Sequence, residues 1–144
     1  MRIITIIYAS IPMTLVFLFI DFLLEFFAKG IFNISITSYF HERDIPEHGS
    51  MFYLVNTALL WMEMNCFIFV YSLLRPGFKS TRTALFTAVS IFLCFSFLFL
   101  GHFVNLGLYP IQAYSIFVVF SLIEFPIASF VGINLYENQQ ERNR

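Results

Sequence analysis

The sequence predicts an all-α polytopic membrane protein, with four transmembrane helices in a compact bundle and both termini in the cytoplasm. Three observations lead to this fold class. Of the 144 residues, 59% are hydrophobic and 12% charged, against about 45–50% and about 25% in an ordinary globular domain. Phe alone supplies 21 residues, and the mean hydropathy is +0.80. The apolar residues also gather into runs long enough to cross a hydrocarbon core of about 30 Å, which takes roughly 20 residues of helix. There is too little charge to surround one domain with water. Lys+Arg 8 against Asp+Glu 9 leaves no basic footprint for nucleic acid. The lipid bilayer is the expected partner.

The first span covers about 3–27 and carries no charge before Asp21. Arg2 ahead of an apolar run resembles the start of a signal peptide. The run is too long for one, and Phe26-Phe27-Ala28 is a poor cleavage site, so the segment reads as a retained helix. The second span, about 51–74, is interrupted only by Glu63. From Thr83 no formal charge appears until Glu124, too far for a single crossing. The stretch from Gly101 to Pro110, with two glycines, a proline, His102 and Asn105, supplies the break. A third span near 83–101 and a fourth near 112–136 follow, within one domain over 1–144. Helices rather than strands are expected, because nothing alternates in polarity over strand lengths and a lone helix satisfies its own backbone in lipid.

Orientation follows from the cations. Arg2, Arg75, Lys79, Arg82, Arg142 and Arg144 fall on one side of a four-span chain, and only Lys29 and Arg43 on the other. The positive-inside rule then places both termini, the second loop and the short tail 137–144 in the cytoplasm, with the loop 29–50 outside. A bacterial inner membrane is the expected location. Cys66 and Cys94 fall within spans and read as buried apolar fillers rather than a disulfide. Asn33-Ile34-Ser35 is a formal glycosylation acceptor in the outer loop, relevant only in a eukaryotic host.

Small and polar residues mark the faces on which membrane helices meet. Ser10, Thr14, Asp21, Glu25 and Ala28 share one stripe of the first helix, beside Pro12. Asn56 and Glu63 stand two turns apart on the second. Thr83, Thr87, Ser90, Cys94 and Gly101 form a stripe on the third, and Ser121, Glu124, Ala128 and Gly132 on the fourth.

The candidate chemistry lies with acids inside the spans. At a helical rise of 1.5 Å per residue, Glu63 and Glu124 each lie roughly 18 Å from the outer end of their helices, so they share one level. No Lys or Arg lies within a span to pair with them. An ionised carboxylate at that depth costs about 2.5–3.5 kcal/mol on insertion scales. The acid can hold its proton, share one with another acid or with an amide such as Asn56, Asn65 or Asn134, or bind a cation. By the same arithmetic Asp21 lies about 27 Å along the first helix, so Asp21 and Glu25 read as a solvated pair near the outer headgroups or as the mouth of a polar path. Pro126 frees a backbone carbonyl near Glu124, and Trp61 lies deep, where it packs or stacks on a ligand.

The outer loop gathers His41, Asp44, Glu47 and His48, with His102 on the same side. A metal set of His41, Asp44, His48 and His102 is the sharper reading. A solvated loop whose Pro46 starts the second helix is the stronger one, because the spacing matches no zinc motif. No phosphate loop, CxxC or haem motif appears, so no cofactor is implied. The expected function is binding of a proton, cation or small lipophilic ligand in a buried acidic pocket, in a transport or receptor-like role. Glu63 and Glu124 are central to it, Asn56 and Asn65 support it, and Asp21 and Glu25 complete the candidates. The alternative is a non-catalytic accessory, assembly or immunity-type subunit bound to a membrane-protein partner or to its own copies. A membrane enzyme acting on a lipid-like substrate through the carboxylates ranks last.

Overall fold

The computed structural model of the chain describes residues 3–32, 50–107 and 111–142. Among them are four α-helices: α1 (Ile3–Phe32), α2 (Ser50–Leu74), α3 (Thr81–Asn105) and α4 (Ile111–Arg142). A 3-10 turn over Arg75–Gly77 links α2 to α3. All four helices are long and apolar enough to cross a membrane, as an integral membrane protein requires. The first loop, with Asn33, His41, Asp44, Pro46 and His48, lies outside the described residues, as do Pro110 and both chain ends.

Each helix outruns its expected span, and the reasons are local. α1 continues past Ala28 to Phe32, and Lys29 in its last turn suits the negative end of the helix dipole. α3 passes through Gly101 and His102 rather than breaking there. Gly101 instead gives room to Tyr114 of α4, whose hydroxyl oxygen lies 3.4 Å from the position of a Cβ. That hydroxyl donates to the carbonyl of Phe97 at 3.1 Å. The actual stop is Gly107, at φ 70, the left-handed conformation a side chain resists. The Gly107 N–H closes the helix on the Val104 carbonyl at 2.9 Å. α4 runs to Arg142 and absorbs most of the expected tail.

Helix α1 packs most extensively on α4 and less on α2, while α3 touches α4 and α2. The α1–α4 contact is built from small residues. Ala9, Ser10, Ala128, Ser129 and Gly132 are all buried, and Met13 of α1 lies against Gly132 of α4. The expected stripes on α1 and α4 are therefore the inward ones. Those on α2 and α3 are not. On α2 the buried positions are Met64, Phe67, Ile68 and Tyr71, while Asn56 and Glu63 are exposed. On α3 they are Ala84, Ala88, Val89 and Leu93, with Thr83 and Cys94 exposed. A Thr or Ser on a helix can satisfy its hydroxyl on its own backbone, so it need not turn inward. Cys66 is exposed as well, which corrects the reading of both thiols as buried fillers.

Three rings tie α2, α3 and α4 together. Phe92 stacks on Phe125 at 4.7 Å, and Phe67 meets Phe92 and Phe125 edge-on at 5.6 and 4.9 Å. Aromatic pairs of this geometry add about 0.5–1.5 kcal/mol each beyond their buried area. At the end of the molecule where α2 meets α3, Arg75 acts as a polar clasp. Its Nε lies 3.1 Å from Glu137 Oε1. Its two terminal nitrogens donate to the Phe78 carbonyl and Thr81 Oγ1, each at 2.9 Å. Tyr71 donates to the same Glu137 oxygen at 2.7 Å. Arg75 is thus an anchored group joining three helices rather than a free loop charge.

Candidate functional site

The helices set two acidic sites apart. The first lies on the α1–α4 contact. Met13 opposes Gly132, and eight residues further along α1, eight back along α4, Asp21 opposes Glu124. Equal spacing in opposite directions is the register of two antiparallel helices, and eight residues is a little over two turns. The carboxyls of Asp21 and Glu124 come within hydrogen-bonding reach of each other. Asp21 is half-buried, and Glu124 is 2% exposed. Its Oε1 has no hydrogen-bond partner among the described residues, and neither does the buried hydroxyl of Ser129 below it.

Asp21 therefore does not stand at the end of its helix, which continues to Phe32. It lies eleven residues, about 17 Å, inside that end. Glu124 lies thirteen residues, about 20 Å, inside the matching end of α4. Glu25, one turn beyond Asp21, is half-buried.

Glu63 stands elsewhere. It lines a cleft of about 560 Å³ between α2, α3 and α4, to which α1 adds Phe17 and whose lining includes Phe92, Phe95, Phe99, Phe117 and Phe125. Ser96 and Ser121 also line it. The cleft opens above the three-ring cluster, where α2 draws away from its neighbours and every residue from Leu54 to Leu59 is exposed. Glu63 has no ion-pair or hydrogen-bond partner among the described residues. Glu124 is not among the residues that line this cleft, and α1 supplies its partner.

The two supporting amides also separate. Asn56 is exposed on α2. Asn65 belongs to a clasp between α1 and α2. Its Oδ1 accepts from Ser10 Oγ at 3.1 Å, and its Nδ2 donates to the Trp61 carbonyl at 2.7 Å. Trp61 Nε1 donates to Ser10 Oγ at 2.9 Å. Trp61 thus packs, one of the two roles its depth suggests, and Asn65 joins it; sequence does not show that Ser10, more than fifty residues away, is their shared partner. Asn134 is exposed.

Of the metal set, His41, Asp44 and His48 lie outside the described residues, and His102 is an exposed residue in the last turn of α3. Among the described residues no group of three or more His, Cys, Asp or Glu is placed to hold a metal ion. Compared with protein-family models, curated proteins and solved structures, the chain matches none of them.

Proposed function

We propose that this is a small polytopic membrane protein that binds a proton, or a small cation in its place, on the Asp21–Glu124 carboxyl pair, in a transport or receptor-like role. The observation that carries the reading is a buried Glu124 with one unpartnered oxygen and Asp21, another acid, as its neighbour. Arg75 is engaged by Glu137. Two ionised carboxylates side by side in hydrocarbon are prohibitively costly, so the pair must hold at least one proton or a cation. The free Glu124 oxygen offers a place for a donor on the incoming species. Such a pair changes charge without moving a helix, because the Met13–Gly132 contact fixes the spacing two turns away.

The test is infrared difference spectroscopy of the full chain in lipid, between acid and alkaline buffer. A carboxylic-acid carbonyl band should appear on acidification and be lost in both Asp21→Asn and Glu124→Gln. Sodium should suppress the band if the site takes cations. A band unchanged across the whole range would mean that the acids are permanently protonated fasteners, and the reading would fail.

The clustering of Arg75, Lys79, Arg82 and Arg142 at one end supports placing that end in the cytoplasm, and a bacterial inner membrane is the setting we assign. A second reading draws on the exposed run Leu54–Leu59, which covers more than one turn of α2. A subunit that packs this part of α2 on a partner helix would behave so. It would then purify in mild detergent as a stoichiometric complex rather than as a single chain.

A further inference from the structure

We propose that the cleft between α2, α3 and α4 is a binding site for a lipophilic ammonium ion, an apolar body bearing one protonated amine. It rests on Glu63 and its cleft alone, not on the carboxyl pair.

Three features of the cleft select this ligand class. The volume of about 560 Å³ falls within the roughly 300–1,000 Å³ typical of small-molecule sites. Its lining is dominated by phenylalanine rings, with Phe95 and Phe99 on α3 and Phe117 on α4, so the body of the ligand must be apolar. Into this lining the chain sets one carboxyl, Glu63, that no described cation or donor engages. A lone carboxylate among rings is complementary to one positive charge. The ion pair neutralises the acid, and ring faces attract the same cation. An ammonium has further N–H groups to place. Ser121 is 4% exposed and lines the cleft, and Ser96 lines it on α3. A serine hydroxyl oxygen is an acceptor for such hydrogens.

The competing classes fit less well. A metal ion needs several ligands, and among the described residues none cluster there. A neutral lipid tail would fill the rings but leave Glu63 uncompensated in hydrocarbon. Glu63, Phe95 and Phe99 of the lining are themselves exposed at the surface of the helix set, so a ligand dissolved in the bilayer has a lateral way in.

The experiment is a scintillation proximity assay on the full chain in nanodiscs, with empty nanodiscs as background. The probes are tritiated 4-phenylbutylamine and its neutral counterpart 4-phenylbutanol. The amine should bind saturably, and at least about tenfold more tightly than the alcohol, the fold-change expected for one charge-assisted contact. Glu63→Gln should erase that preference, leaving amine and alcohol equal. Ser96→Phe, which fills the wall, should weaken both. Equal binding of amine and alcohol to the unmodified chain, or no saturable amine binding, overturns the proposal without recourse to any variant. Undiminished amine preference in Glu63→Gln overturns it as well.

Discussion

The closest approach of α1 and α4 gives a prediction whose sign depends on a single side chain. A Cβ added at Gly132 would lie 2.8 Å from Met13 Sδ, 3.0 Å from its Cβ and 3.1 Å from its Cγ. Ordinary carbon contacts lie at about 3.5–4.0 Å. The sulfur can swing aside. The Cβ cannot, because it is fixed to the α1 backbone, and Met13 is fully buried. In Gly132→Ala the helices must therefore part by about half an ångström, an overpacking cost of about 1–3 kcal/mol. Against this, Ala in a helix interior is favoured over Gly by about 0.5–1 kcal/mol. The net expectation is a loss of about 1 kcal/mol. In a Met13→Gly background all three clashing atoms are gone, Cβ included, and the propensity gain should dominate. There the same substitution should be neutral or stabilising by up to about 1 kcal/mol. Reversible unfolding in mixed micelles, followed by circular dichroism over an SDS titration, measures all four corners of the cycle. If Gly132→Ala has the same effect with and without Met13, the close α1–α4 approach is not what limits this position, and the reasoning is wrong.

Two further outcomes are expected from the polar clasps. Ser10→Ala removes the acceptor of Trp61 Nε1 and the donor to Asn65 Oδ1, and should cost about 1 kcal/mol in the same assay, within the range of interhelical hydrogen bonds in membranes. Trp61→Phe in the Ser10→Ala background should then add less than it does alone. Glu137→Gln weakens contacts to both Arg75 and Tyr71. With both charged side chains partly exposed, the loss should stay near or below about 1 kcal/mol and shrink in high salt.

Four apolar helices were legible in the sequence because run length and charge spacing carry that information directly. The inward faces of α1 and α4 were legible too, since Ser10, Thr14, Ala128 and Gly132 cannot gain much from lipid and allow close approach. The α3 face was read one position away from Ala84 and Ala88, because alanine gives no signal in an apolar sequence while Thr83 and Cys94 give a misleading one. Helix ends were read short at Gly101 and Glu137 for a related reason. Each residue is recruited by a distant partner, Tyr114 in one case and Arg75 in the other. Counting residues gives the positions of Glu63 and Glu124 along their helices. It does not give their partners, because a count fixes a position along a helix axis and says nothing of rotation around it. Only the contact of α1 with α4 shows that Asp21, not Glu63, faces Glu124.

The two acidic sites lie where packing differs most, and that difference matches what each would have to do. Asp21 and Glu124 stand on the contact closed by Ala9, Met13, Ala128 and Gly132. Glu124 is buried there and Asp21 half-buried, so a second charge on the pair carries a high electrostatic cost. Glu63 stands where bulky rings make up much of the lining. There a carboxyl can be reached from the side by a ligand with a body of its own. Swapping the acids between the two places would serve neither purpose. Glu63 on the tight contact would admit no ligand, and Glu124 in the cleft would have no second acid with which to share a proton.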